Sequence, residues 1–175
     1  MNLLYIILIL ILLVILYQDF KHKAIDWYLF LLLPLIIILL RFNEPGKLVL
    51  NFLINFIFLS FNSLMLFAYF SLKNRKFINP LKKYIGIGDI FFFTALALFF
   101  SPLNFILFFS GSMLITLLTF LFAFALRKEN LKREIPLAGF VSGLLLVLLF
   151  FNYFISINLY NDHWIITHLT FNGIY

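Results

Sequence analysis

The sequence predicts an all-α fold, a polytopic membrane helix bundle of about six transmembrane helices. Two observations carry that prediction. Hydrophobic residues fill 65% of the 175 positions and charged residues only 11%, against roughly 45–50% and about 25% in soluble domains. The apolar residues are also gathered into runs separated by short polar segments, and one bilayer crossing takes about 20 mainly apolar residues. A chain of this length has room for about six such runs and none for a separate soluble domain. Residues 1–157 are therefore expected to form one membrane domain, and residues 158–175 a polar tail on the extracytoplasmic side.

The first run, residues 2–17, has no charge ahead of it and no small-residue cleavage site behind it, so a retained helix is expected rather than a signal peptide. Asp19, Lys21, Lys23 and Asp26 separate it from the second run, residues 27–42, where Pro34 is expected to kink the helix. Pro45 and Gly46 mark a tight turn. The third run covers residues 48–72, a basic loop follows over 73–84, and the fourth run covers 85–100. Ser101 and Pro102 turn the chain into the fifth run, 103–126, and a second basic loop leads to the sixth, 135–157.

Orientation follows from the cations. Eleven Lys and Arg (Lys21, Lys23, five in residues 73–83 and four in 127–133) fall on one side of this six-span arrangement, and only Arg41 and Lys47 on the other. The positive-inside rule places the first side in the cytoplasm, with both chain ends outside. The net charge of +6 is thereby read as loop charge, with lipid and not nucleic acid as the surrounding partner. The absence of Cys removes disulfides, thiolate metal sites and cysteine nucleophiles.

With seven acids in the chain, each can be weighed. An ionised carboxylate inside a bilayer costs about 2.5–3.5 kcal/mol on insertion scales and usually marks a site. Asp19 directly follows the first run. Asp89 sits inside the fourth, in Gly86-Ile87-Gly88-Asp89, with only apolar residues and Thr94 from there to Phe100. In the derived topology both fall at the cytoplasmic margin, where two carboxyls that meet can share a proton and act as base and acid. Gly86 and Gly88 are expected to loosen the helix start and let a substrate backbone approach Asp89. The structural alternatives are a loop position for Asp19, an N-cap role for Asp89 and, more strongly, an N-cap role for Asp26. Glu44, Glu129 and Glu134 read as solvated loop residues. His163 and His168 beside Asp162 form a weak metal-ligand pattern, and no metal or cofactor is expected.

These segments resemble the type IV prepilin peptidases, membrane aspartyl proteases that include the archaeal preflagellin peptidases and share the GxGD signature with presenilin and signal peptide peptidase. The likeness rests on Asp19-Phe20-Lys21-His22-Lys23-Ala24-Ile25-Asp26-Trp27, on Gly86-Ile87-Gly88-Asp89 after the basic loop, and on Ile135-Pro136-Leu137-Ala138-Gly139 opening the last helix. It covers most of the chain up to about Phe150. It implies an endopeptidase of the cytoplasmic membrane that uses Asp19 and Asp89 as catalytic residues, with Gly86, Gly88 and Pro136 as motif support. Its implied substrate is a membrane-inserted prepilin-like or pseudopilin-like protein carrying a short basic leader. Asp26, Trp27 and Phe91 depart from the family pattern. Without cysteines or room for a cytoplasmic domain, the resemblance is to a short form lacking methyltransferase activity. Two readings from other classes compete: a non-catalytic membrane assembly component with the same fold, and a small proton-coupled transporter.

Overall fold

In bilayer hydrocarbon every backbone N–H and C=O must find a partner within the protein, so long apolar runs fold as helices. The computed structural model describes residues 3–74, 86–126, 136–155 and 158–171, and these are helical with no strand among them. The helices are α1 (Leu3–His22), α2 (Leu29–Leu40), α3 (Pro45–Asn74), α4 (Ile87–Phe99), α5 (Pro102–Leu126), α6 (Leu137–Ile155) and α7 (His163–Phe171). The two basic loops, apart from Lys73 and Asn74, lie outside the described residues, as do Glu129, Glu134 and Ile135.

Four helices, α1, α3, α5 and α6, are long and apolar enough to cross a membrane. The other two expected spans form shorter helices. At 1.5 Å per residue, the 12 residues of α2 and the 13 of α4 reach only about 18–20 Å. The ends of their apolar runs are spent on turns: residues 26–28 lead into α2, and Phe100 leaves α4 in extended conformation. Leu10, Leu53, Leu64, Leu118 and Phe150 are among many large apolar side chains left exposed, a surface suited to lipid and not to water.

The short α4 is the inner member of the bundle, packed against α2, α3 and α6. Phe92, Leu96, Ala97 and Phe99 are almost completely buried. A helix that ends inside a bundle leaves its last four carbonyls without partners, and two side chains answer all four. Asn55 Nδ2 donates to the carbonyls of Ala97 (2.9 Å) and Phe100 (3.0 Å). Arg41 Nη1 donates to those of Leu98 (3.2 Å) and Phe99 (3.5 Å). Arg41, counted from the sequence as a cation at the non-cytoplasmic end of the second run, is thus only 4% exposed.

Two local expectations change, and the tail gains a contact. The turn before α3 lies at residues 41–44, and Pro45 opens the helix, where its missing N–H costs nothing. Asp26 does not cap α2, whose N-cap is Tyr28 with no side-chain cap bond. Its carboxylate instead accepts from Gln18 Nε2 (2.6 Å) and Tyr28 Oη (2.9 Å), bracing the turn between α1 and α2. The tail folds back: Asp162 accepts from Ser101 Oγ (2.6 Å) and from the backbone N–H groups of Leu103 and Asn104, capping α5 from a distance.

Candidate functional site

Asp19 lies in the last turn of α1, within the helix and not beyond it, and is 7% exposed. The helix closes one turn later at Lys23, whose N–H donates to the Asp19 carbonyl and whose left-handed backbone (φ 51°) then turns the chain out of the helix. Asp89 is the third residue of α4, whose N-cap position is held by Gly86.

The two carboxylates converge on a third helix. Pro136 stands just before α6, and its carbonyl accepts the first helical bond, from Phe140 N–H. A Ser, Thr, Asp or Asn there would serve the free amides of the first turn; proline has no acceptor side chain. Asp19 and Asp89 take that place. Gly139 N–H donates to Asp19 Oδ2 at 2.5 Å, and Ala138 N–H donates to Asp89 Oδ1 at 3.1 Å. Two consecutive amides therefore hold one carboxylate each, which brings both side chains onto the same turn of α6. Asp89 thus serves as a cap for α6, while Gly86 holds the N-cap position of its own helix.

The glycines are used for space. A Cβ at Gly86 would lie 3.0 Å from Asp89 Oδ2. One at Gly88 would lie 3.1 Å from Phe30 Cζ, so α2 already fills the face expected to open toward a substrate backbone. One at Gly139 would stand 2.9 Å from the Phe20 ring and 3.0 Å from Asp19 Oδ2. None of these glycines has a positive φ, so conformational freedom is not their role. Aromatic pairs flank the acids: Phe20 with Phe140 at 4.9 Å between ring centres and Phe30 with Phe91 at 5.6 Å.

The sequence reading missed Ala138 and Gly139 as members of the site. A signal for them exists, because a helix opened by Ile-Pro with no capping side chain must find its acceptors elsewhere. His163 is exposed at the far end of the bundle, and among the described residues no three acids or histidines gather as metal ligands. A cavity of about 190 Å³ beside Arg41 and Tyr160 also lies at that far end.

A pair of adjacent carboxyls can hold a water between them, one removing its proton while the other donates to the group under attack. No family model, curated protein or solved structure matches this chain.

Proposed function

We propose that this protein is a membrane aspartyl endopeptidase, similar to the type IV prepilin peptidases, that removes a short basic leader from membrane-inserted prepilin-like or pseudopilin-like substrates. In this reading the apolar runs make six crossings, α2 and α4 included. Both chain ends lie outside the cytoplasm, and Asp19 and Asp89 sit near the cytoplasmic face. The observation that carries the proposal is the meeting of these two carboxylates, from helices far apart in sequence, on the consecutive amides of Ala138 and Gly139.

The chemistry is a hydrolysis. One carboxylate takes a proton from water, whose oxygen attacks the scissile carbonyl carbon, while the other carboxyl gives its proton to the carbonyl oxygen. The tetrahedral intermediate collapses as the C–N bond breaks: the departing nitrogen receives the proton held by the first, and a hydroxyl proton of the new carboxylic acid returns to the second. A substrate with a short basic leader, then Gly, then about 20 apolar residues tests the idea in reconstituted membranes. Asp19→Asn and Asp89→Asn should each lower cleavage by about a hundredfold or more while the protein stays folded, since Asn keeps an acceptor oxygen for the α6 amides.

The same hydrogen bonds favour one competing reading, in which the aspartates only cap α6 in a non-catalytic assembly component. Undiminished cleavage by either Asn variant, or none by the wild type, decides for that alternative.

A further inference from the structure

We infer that the first turn of α6 is the positioning device of the site: the N–H groups of Ala138 and Gly139 hold the two carboxylates side by side, and residue 139 must be glycine for them to do so. This rests on reading Asp19 and Asp89 as the catalytic pair, and it assigns a role to backbone groups outside that pair.

Asp19 and Asp89 belong to α1 and α4, two helices whose main packing partners are other elements, so their mutual placement needs a third body. That body is α6, which packs along α1 and also touches α4. The turn is buried, with Ala138 and Gly139 both enclosed. Its amides are free to act because Pro136 offers no side-chain acceptor, and a helix N-terminus favours negative charge. Hydrogen bonds to charged groups are the stronger kind, so each amide fixes one carboxylate oxygen in direction as well as in place.

Gly139 completes the device by what it lacks. A side chain there would press on Asp19 Oδ2 and on the Phe20 ring together. That ring packs against Phe140 on one side, so making room at residue 139 means moving both the ring and the carboxylate. Gly143, one turn further along α6, is an internal comparison. A Cβ there would meet only Leu16 Cδ1 at 3.1 Å, the mobile end of an aliphatic side chain. Gly143→Ala therefore tests helix packing against α1 without touching a carboxylate.

The experiment uses the full chain in lipid with the leader-bearing substrate. The Gly139 amide is replaced by an ester through glycolate incorporation, which deletes the N–H with no added bulk, and Gly139→Ala and Gly143→Ala are made alongside. Loss of the N–H in the ester variant, and pressure of the added methyl on the Asp19 carboxylate in Gly139→Ala, should each lower kcat about tenfold to hundredfold with KM little changed. Gly143→Ala should leave kcat near wild type. Infrared difference spectra give a readout independent of turnover: the carboxyl band identified by its loss in Asp19→Asn should move in the ester variant and stay in Gly143→Ala. An unmoved band and unchanged kcat in the ester variant, or equal losses at 139 and 143, overturn the inference. If instead Asp19→Asn still cleaves, the peptidase reading fails, and the infrared band alone decides whether the turn anchors the acids.

Discussion

Tyr160 joins three parts of the chain. Its hydroxyl bonds that of Tyr5 at 2.6 Å, its ring lies 5.1 Å from the Arg41 guanidinium, and it meets Phe99 edge to face. Burial, then the bond to Tyr5, pushes its phenol well above the ordinary range. Below pH about 10 the phenol is protonated whether the chain is folded or not, and it makes stability no pH-dependent contribution. Above that the unfolded chain loses the proton while the folded one keeps it, so stability falls as pH rises. Thermal unfolding in detergent should show this alkaline decline, and Tyr160→Phe should flatten it while costing about 1 kcal/mol at neutral pH for the lost hydrogen bond. Single residues differ in how openly the sequence announces them. Asp19 and Asp89 stand out because an acid beside or within an apolar run is expensive, whereas Arg41 reads only as a cation at the end of the second run. Nothing near Arg41 in sequence foretells that two carbonyls 57 and 58 residues away need it.

At the scale of the element, α4 shows how a short helix is kept in an apolar interior. Its C-terminal end lies inside the bundle, and its stability depends on donors supplied by its neighbours. Arg41→Met and Asn55→Leu should each destabilise the protein by about 2–4 kcal/mol, because each leaves two buried carbonyls without a donor. Thermal midpoints in one detergent give the comparison, and a change within error for both variants would contradict this account of the helix end. The six apolar helices were legible from hydropathy to within a few residues. Their ends were less so. Pro45 was read as part of a turn because proline suits both a turn and a first helical position, and only the backbone decides between them. Asp26 looked like a cap because it precedes an apolar run, but Gln18 and Tyr28 claim its carboxylate.

For the whole molecule, the proposed orientation makes a direct prediction. With no native cysteine to mask, single substitutions Lys76→Cys and Asn158→Cys should react with a membrane-impermeant thiol reagent from opposite sides of the membrane, Lys76→Cys from the cytoplasm. Labelling of both from one side would remove the six-crossing arrangement and with it the cytoplasmic position of the acids. The membrane character, the order of the helices and the two candidate acids were determined by the sequence alone, because hydropathy and the cost of intramembrane charge act residue by residue along the chain. Tertiary structure alone decided that the acids meet on α6, that Gly139 is the space which admits them, and that Arg41, Asn55 and Asp162 close helix ends in distant segments. Those arrangements satisfy backbone groups through partners remote in sequence, and a hydrogen bond between distant residues leaves no periodic mark in the chain that makes it.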